Sequence, residues 1–381
     1  QVGRAGRATE AADVLLLPGH EDQELWQYFA TNAMPTRQRA TSVLDALAAS
    51  DVPLTVPALE SRVELRRGAL ELLLKVLAVD GAVENRAGGW ALTGADWIYD
   101  EERYSRIAAA RVAEQQAMLE YEDLGHARCR MEFLTAALDD PHSRPCGRCD
   151  TCTRPWYPTG VTAEAQVAAQ SALERVGVVL EPRTLWPPGL DRFTDVMGGE
   201  VVRGRIPRAE RIEPGRVVAR LTDLGHGNAL RELFASDADG KPVDAEVPPQ
   251  LAGACLQVLR EWDWDERPAA VAWVPGLSRP RLVAALGEGL ARAGRLRVLG
   301  PLGLVPGAVS LPRANSTFRV RDLWTRFHVT PHQEVAMAAL SGPVLLVDDL
   351  VDSRWTMTVA GRLLKRAGAR DVLPFALAAM G

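Results

Sequence analysis

Four cysteines have the spacing of a metal site. Cys129 is followed, after sixteen residues, by the run C-G-R-C-D-T-C, which holds Cys146, Cys149 and Cys152. Two residues between cysteines let both thiolates reach one ion from a tight turn, and four thiolates complete a closed tetrahedral shell around Zn²⁺ at about 2.3 Å. Because a closed shell leaves no position for water or substrate, we predict a structural zinc site.

Other uses of these four cysteines fit the sequence less well. A disulfide framework is typical of short secreted chains, whereas this chain has 381 residues and shows no signal peptide or transmembrane run. A redox pair needs one C-x-x-C, but here two overlap and a fourth cysteine lies upstream. Unrelated buried thiols would lie on an apolar face, and these lie among Gly, Arg, Asp and Thr. An iron–sulfur cluster, which also takes four thiolates, is the main alternative to zinc.

A second group of residues suits phosphate chemistry. The apolar stretch 344–347 predicts a strand that delivers Asp348 and Asp349 at its carboxyl end, before a polar loop and a helix over 355–366. Ligands of open α/β sheets bind at such carboxyl ends, and phosphate groups bind at helix N-termini. The alternative is an ordinary Rossmann-like strand that ends in a solvated pair of aspartates.

The stretch V-D-D-L-V-D-S-R-W-T resembles the phosphoribosyl-pyrophosphate (PRPP) motif of type I phosphoribosyltransferases. The resemblance implies that Asp348 and Asp349 hold the ribose hydroxyls. It implies that the 5′-phosphate is cradled by the loop of Asp352, Ser353, Arg354, Trp355 and Thr356. The segment W-V-P-G-L-S-R-P-R resembles the pyrophosphate loop, through Pro275, Gly276, Ser278 and Arg279. Residues 315–327 resemble the flexible hood of competence-type (ComF-like) members.

Two departures bear on PRPP binding. The family usually has glycine at the position of Arg354, so that backbone N–H groups can wrap the phosphate. Arg354 could grip a phosphate itself or fill the empty site. Asp352, where the family often has threonine, would repel phosphate. These departures favour the fold over the activity, so we expect a degenerate phosphoribosyltransferase-like domain, with Mg²⁺–PRPP as the cofactor only if the alternative holds.

The first residues, Q-V-G-R-A-G-R, resemble the last conserved motif of superfamily-two helicases. The resemblance implies that Arg4 and Arg7 face ATP between two RecA-like lobes, where permanently charged guanidinium groups suit phosphoryl transfer. The alternative is a basic glycine-rich loop by chance. We expect a truncated chain whose residues 1–31 close the second lobe. No G-x-x-x-x-G-K-[ST] occurs, so we do not expect this chain alone to hydrolyse ATP.

The following region has the element order of a winged helix. Apolar spacing predicts helices over 43–49, 57–63 and 66–79, followed by short strands over 82–84 and 90–92. The candidate DNA contacts are Arg66, Arg67, Lys75 and Arg86. Residues 42–97 carry five basic and eight acidic side chains, a net charge of 5 − 8 = −3, so a protein-contact role stays open.

The segment C-R-M-E-F-L…P-C-G-R-C-D-T-C resembles the zinc module of RecQ helicases, including the sixteen-residue gap. In most RecQ proteins this module precedes the winged helix, whereas here it follows. Combined with a phosphoribosyltransferase-like domain, it resembles the C-terminal part of actinobacterial RecQ-like helicases of the RqlH type. That family implies ATP-driven 3′-to-5′ DNA unwinding in repair and recombination, with structural Zn²⁺ and Mg²⁺–ATP. The alternative is an active PRPP-dependent phosphoribosyltransferase or metabolite sensor fused to a helicase.

The resemblance also implies partners and location. We expect DNA, the remaining helicase lobes of the same polypeptide, a possible protein partner at the phosphoribosyltransferase-like domain, and no membrane. The net charge of −5 gives no overall basic signature. We expect a reducing cytoplasm, with association with the bacterial nucleoid.

The fold class that we predict is multidomain, mainly α and α/β, with a winged helix and a zinc module before a phosphoribosyltransferase-like domain with a mostly parallel sheet. The domains expected are 1–31, the helicase lobe; 32–98, the winged helix; 99–157, the zinc module; and 158–381, with an extension over 158–262 and an α/β core over 263–381.

The sequence also predicts several local features. They are a strand over 12–17, an irregular stretch over 181–248, an edge position for Pro374, a solvent-exposed His226 and a reduced core thiol at Cys255.

Overall fold

The computed structural model describes residues 12–19, 22–23, 25–27, 35–125, 128–173, 175–308 and 315–380. Contacts divide the chain into two compact units. The first unit comprises Gln1–Pro53 and Gly68–Val161, and the second, here called the α/β unit, comprises Leu54–Arg67 and Thr162–Gly381. Arg4 and Arg7 lie outside the described residues. Within those residues, no helix combines the length and apolar character that a membrane span requires.

Three helices and a two-stranded ribbon follow in the predicted order. They are α1 (Arg37–Ala48), α2 (Val56–Glu60), α3 (Arg67–Val79), β1 (Val83–Arg86) and β2 (Gly89–Leu92), the two strands being antiparallel. The Thr36 hydroxyl caps α1 by accepting from the Arg39 N–H, so the helix begins earlier than predicted. Because α2 belongs to the α/β unit, a winged-helix arrangement of these elements stays a prediction.

The region 99–157, predicted as the zinc module, begins with two helices in the first unit. α4 spans Glu101–Glu122 and α5 spans Arg130–Ala136. Asp80, just after α3, accepts hydrogen bonds from Arg103 at 2.7 Å and from the Tyr104 hydroxyl at 2.8 Å, both on α4. This pair of bonds ties the start of α4 to the end of α3. The break between α4 and α5 places Cys129 directly before α5.

The α/β unit is built on a six-stranded sheet, in the order β3-β4-β10-β9-β5-β6. β3 is antiparallel to β4, and the remaining pairs are parallel. The strands are β3 (Val178–Leu180), β4 (Gly215–Arg220), β5 (Ala270–Trp273), β6 (Arg297–Pro301), β9 (Val344–Val351) and β10 (Val372–Ala379). The mixed α/β class with a mostly parallel sheet is therefore confirmed.

Helices cover both faces of this sheet. They are α7 (Gly227–Leu233), α8 (Pro249–Glu261), α9 (Pro280–Gly294), α10 (Ser316–Trp324), α11 (Pro331–Ala338) and α12 (Trp355–Arg366). The unit also contains α6 (Ala163–Leu173), whose described side chains are exposed, and a small ribbon of β7 (Gly303–Leu304) and β8 (Phe327–His328). Val344 and Leu346 of β9 enter one hydrophobic core, whereas Leu345 and Val347 enter the other. Burial on both faces explains why this strand is continuously apolar.

Three predictions about strands are wrong. The structure has no strand over 12–17, and the supposedly irregular stretch 181–248 contains the internal strand β4. β10 lies between β4 and β9, so Pro374 is not at an edge. Gly215 makes this possible, because a Cβ there would lie 2.8 Å from the Pro374 Cβ. A glycine opposite the proline gives the ring its space.

Two single-residue predictions have opposite outcomes. Cys255 of α8 is a free thiol buried in the same core as Leu251 and Val258, as predicted, and burial raises its pKa to about 12. His226 was expected in solvent but is only 8% exposed, directly before α7, and its Nδ1 has no hydrogen-bond partner within the described part of the chain.

Candidate functional site

The four predicted cysteines converge in the first unit. The four sulfur atoms all lie within 4.8 Å of one another; they belong to Cys129, Cys146, Cys149 and Cys152. A tetrahedron with Zn–S bonds of about 2.3 Å has edges of about 3.8 Å. The Cys129 and Cys149 sulfurs are 3.7 Å apart, and all five cysteines are free. The donor set therefore fits a four-coordinate thiolate-bound metal such as zinc.

Backbone geometry aims the sulfurs at a common point. The Cys146 N–H donates to the Cys129 sulfur at 3.2 Å, and the Cys149 N–H donates to the Cys146 sulfur at 3.3 Å. Gly147 between them has a φ of 68°, a left-handed conformation that glycine adopts without strain. The Cys152 N–H then donates to the Cys149 carbonyl at 3.0 Å, closing a second turn. Each C-x-x-C is thus a tight turn, as the spacing predicts.

Hydrogen bonds divide the thiols into more and less acidic ones. Burial raises the pKa of Cys149, but hydrogen-bond donors outweigh this effect and lower the pKa to about 5. One of these donors is the Thr151 hydroxyl, 3.1 Å from the sulfur. A hydrogen bond with Cys149 contributes most to raising the pKa of Cys152 to about 11. Binding of a metal to four thiolates must therefore release protons, so metal affinity should fall on acidification.

A clamp that sequence reasoning missed supports the cysteine loop. Arg130, next to Cys129, donates to Asp150 at 2.7 Å and to the Tyr121 carbonyl at 2.8 Å. The Tyr157 hydroxyl donates to the other Asp150 oxygen at 3.2 Å. Asp150 lies between Cys149 and Cys152, so the clamp joins the two ends of the ligand set. An acid inside the cysteine run and an arginine beside the outlying cysteine were the available signals.

The paired acids of the PRPP-like motif lie at the carboxyl end of β9, but the strand includes them. Asp348 is buried and Asp349 half-buried. The Asp349 N–H donates to Asp348 at 3.0 Å, and the Leu350 N–H donates to Asp349 at 2.7 Å. Burial, and then the charge of Asp349, raises the pKa of Asp348 well above its usual value, and burial raises the pKa of Asp349. Asp348 is held in an environment that favours its neutral form.

The loop after β9 is filled by the chain's own side chains. The Asp352 carboxylate pairs with Arg319 at 3.0 Å. Arg183 donates two hydrogen bonds to the Ser353 carbonyl, at 3.1 and 2.9 Å, and lies over the Trp355 ring. The loop resembles a phosphate cradle in sequence, yet two of its groups already hold guanidinium groups.

Arg354, predicted from the sequence to stand at a glycine position of the resembled motif, has a glycine-like backbone conformation. Its φ is 68° and its ψ is 0°, directly before α12. Its side chain turns back to donate to the Glu181 carbonyl at 2.9 Å. Ser353 Oγ and Trp355 Nε1 are buried without hydrogen-bond partners among the described residues, and Thr356 is half-buried.

The pyrophosphate-like loop follows β5, and its arginine is engaged. Arg279 donates to the carbonyls of Phe234 and Val243, at 2.8 and 3.2 Å, and lies over the Phe234 ring. A Cβ at Gly276 would lie 2.8 Å from the Arg279 carbonyl oxygen, so glycine is needed for this tight turn. Pro275 and Ser278 complete the loop.

Three of the four candidate DNA contacts form ion pairs. Arg66 lies 3.7 Å from Asp352, Arg67 pairs with Glu60 at 2.9 Å, and Arg86 pairs with Glu84. Lys75 is exposed and makes no ion pair with any residue that the structure describes. Exposed pairs of this kind are worth about 0–1 kcal/mol, so phosphate could displace the carboxylates.

Comparisons with known proteins do not assign a family. No family model matches the chain, and no curated protein matches it. Among solved structures, an O-methyltransferase family 2 protein from Planctomyces limnophilus, in complex with apigenin, is similar at 15% identity. The match covers 95% of this chain and 89% of that chain at a TM-score of 0.20. A likeness at this level carries no argument, so function rests on the two sites themselves.

Proposed function

We propose that this chain is the C-terminal part of a RecQ-like DNA helicase, with the first unit as its zinc-stabilised DNA-binding module. The observation that supports the proposal is the convergence of four thiolates from a C-x16-C-x2-C-x2-C pattern. A closed thiolate shell supplies a cross-link in place of a large hydrophobic core. Cys129, Cys146, Cys149 and Cys152 would hold Zn²⁺, and the ion would supply structural stability alone.

DNA engagement in this proposal depends on local positive charge, because the chain as a whole is acidic. Lys75 is the candidate contact with no competing carboxylate in the described residues. To bind DNA, Arg86 must break its ion pair with Glu84 and pair with a phosphate. Because an exposed ion pair contributes little free energy, this change of partner is feasible. We therefore expect modest affinity that falls steeply with salt.

The test of DNA binding is to measure the affinity for DNA by fluorescence anisotropy at several salt concentrations. Each phosphate contact contributes about −0.9 to the slope of log affinity against log salt concentration. Lys75→Ala should reduce the slope by about 1, whereas Lys241→Ala, an exposed lysine of the α/β unit, should not. A slope of zero for the zinc-loaded chain would contradict the proposed module.

Membership in a helicase is tested in a polypeptide that also carries the phosphate-binding loop. There, Arg4→Ala and Arg7→Ala should each lower DNA-stimulated ATP hydrolysis by about 10³-fold or more, the range for arginines that contact a transferring phosphoryl group. Arg37→Ala, at the exposed start of α1, is the control. Unchanged hydrolysis in both variants would remove the ATP-facing role.

For the α/β unit we propose a phosphoribosyltransferase-like domain that has lost PRPP binding. Paired acids at the carboxyl end of an internal parallel strand, and a left-handed residue before α12, favour this ancestry. The guanidinium groups on Asp352 and on the Ser353 carbonyl favour loss of the phosphate site. An active PRPP-dependent transferase or a metabolite sensor is the second candidate.

Calorimetric titration of Mg²⁺–PRPP separates these candidates. Arg354→Gly keeps the left-handed backbone and removes the side chain that bonds to Glu181. Arg295→Gly is a matched control, because Arg295 is also left-handed, at a φ of 53° after α9. We expect no binding to the unaltered chain or to either variant, because Arg183 and Arg319 still occupy the loop in Arg354→Gly. Recovered binding in Arg354→Gly only would show that Arg354 alone closes the site. Tight binding to the unaltered chain would support the active transferase or sensor instead.

A further inference from the structure

Asn315 connects two distant parts of the α/β unit. It is 1% exposed and lies at the start of the segment that resembles the flexible hood. Its side-chain amide donates to the carbonyls of Glu60, Val63 and Leu65, the latter two at 3.1 and 3.3 Å. These carbonyls belong to the end of α2 and the turn after it. The Val63 carbonyl also accepts from the Leu65 N–H at 2.9 Å, and the planar amide of Asn315 supplies a donor to this part of the segment.

The remaining polar atoms of Asn315 fix its orientation. Its side-chain oxygen accepts from the Thr317 N–H at 2.7 Å and so caps α10, while its own N–H donates to Glu64 at 3.2 Å. The Thr317 hydroxyl in turn donates to the Pro188 carbonyl at 2.8 Å. Asn315 thus offers a donor pair to residues 60–65 and an acceptor to α10, a combination that only an amide side chain provides.

A second contact lies beside it. Arg192 donates to the Ser61 carbonyl at 3.1 Å and to the Ser61 hydroxyl at 3.3 Å. Gly189, with a φ of 79°, approaches so closely that a Cβ there would lie 2.3 Å from the Ser61 Cβ. The backbone of 188–192 is therefore shaped to the surface of this segment.

A third contact comes from the loop after β9, residues 352–356, here called the acidic loop. Asp352 holds Arg319 of α10 and, at 3.7 Å, Arg66 of the segment. The acid stands where the resembled family often has threonine beside phosphate. A negative charge at this position repels phosphate and attracts guanidinium, so the loop has the charge of a cation-binding site.

We propose that Pro188, Gly189, Arg192, Asn315 and Asp352 form a docking surface whose partner is the chain's own segment 54–67. On this surface the hood-like segment serves as a fixed receptor, and the phosphate-type loop binds an arginine of the segment. Arg66 is then a docking residue, and it does not contact DNA. The part of this inference that concerns DNA rests on the proposed function, whereas docking itself does not.

The experiment is hydrogen exchange of the full 381-residue chain, read at the amides of Leu59, Ser61 and Val63, which bond to backbone carbonyls within the segment. Asn315→Asp keeps the oxygen that caps α10 but removes both donors. Loss of a buried partner costs about 1–3 kcal/mol, so exchange at these amides should accelerate roughly five- to 150-fold. Arg66→Ala should accelerate it about two- to fivefold, the range for a partly exposed ion pair. Asn85→Asp, on the exposed ribbon of the first unit, should leave it unchanged.

Two results would overturn the proposal. Unchanged exchange at the three amides in Asn315→Asp would show that the segment does not depend on this surface. Equal acceleration in β9 and β10 would show general unfolding in place of release of the segment. A parallel DNA titration completes the test: docking predicts that Arg66→Ala leaves the salt slope unchanged, whereas a drop of about 1 would make Arg66 a DNA contact. If no variant binds DNA, the exchange result still decides docking, and only the proposed function fails.

Discussion

The cysteine cluster and the acidic loop place their polar groups by different means. Three of the four cysteines lie within seven residues of one another, and their support, Arg130 and Asp150, comes from the same stretch of chain. The acidic loop follows the internal strand β9, and its partners Arg183, Arg319 and Arg66 come from distant segments. A local site keeps the chemistry of its motif, whereas a site completed from a distance can be changed without altering the motif.

The largest expected effect is loss of the metal. Cys149→Ser removes the most acidic thiol, and structural zinc in zinc-finger peptides is worth about 10–16 kcal/mol of apparent free energy. We expect bound zinc to fall from about one ion per chain to near zero, with loss of helical circular dichroism from the first unit. Elemental analysis and circular dichroism measure both. Cys255→Ala is the control, and stoichiometric zinc in Cys149→Ser would refute the site.

The second effect tests the α/β unit, which is held by packing. Trp355 is 2% exposed and stacks on Trp186 with ring centres 6.1 Å apart. Trp355→Ala should lower the free energy of unfolding by about 3–5 kcal/mol, measured by urea denaturation, with zinc content unchanged. Trp156→Ala, which removes an exposed ring of the first unit, should change it by about 0.5 kcal/mol or less. Zinc loss in Trp355→Ala would mean that the two sites are not independent.

A third prediction concerns the clamp around the cysteines. Arg130→Met keeps much of the side-chain volume and removes the bond to Asp150. Groups that orient metal ligands are typically worth about 10–100-fold in affinity. Competition with a chromogenic chelator should show a weakening in this range, and Arg148→Met, an exposed arginine of the same loop, should show none. Equal affinities would make the clamp irrelevant to the metal.

The smallest effect is a change in pH dependence. The folded-state pKa of Asp348 is raised by burial, so its contribution to stability is present below its unfolded pKa of about 3.9 and is lost as pH rises through the folded value. Asp349 and Arg319 are the charged groups that act on it. Asp348→Asn removes the titration, so the variant should gain stability relative to the unaltered chain as pH rises from 4 to 8.

Urea denaturation across that pH range measures the difference, with Asp263→Asn as a control at an exposed position. Parallel stability curves for Asp348→Asn and the unaltered chain would show that the burial of Asp348 carries no energetic penalty. Such curves would also favour the alternative in which Asp348 and Asp349 are an ordinary solvated pair at the end of a strand.

Sequence reasoning succeeded where the determining residues are near one another. The cysteine spacing predicted convergence of the sulfurs, and the apolar stretch 344–347 with the residues after it predicted β9 and α12. It failed for β4, because R-V-V-A-R is short and lies among prolines and glycines. It failed for Pro374, because the glycine that accommodates it is in another strand, 159 residues earlier, since 374 − 215 = 159.

The same limit applies to the charged candidates. Arg66, Arg67 and Arg86 were predicted as DNA contacts from their positions on a helix and a ribbon. Their carboxylate partners were not predictable, since pairing depends on side-chain reach, and for Arg66 the partner is Asp352 of a remote loop. His226 was misplaced for a similar reason, because its burial depends on how the chain packs after β4.

The bond from Asn315 to the Leu65 carbonyl spans 250 residues of chain, and this separation has a consequence during synthesis. At about 5–20 residues per second, the ribosome needs roughly 12–50 s between making the segment and making its receptor. During that interval Leu59 and Val63, which are buried in the folded protein, belong to a segment without its final partners. A chaperone that binds apolar stretches would find residues 54–67 available throughout this interval, after α3 and the cysteine loop have left the ribosome.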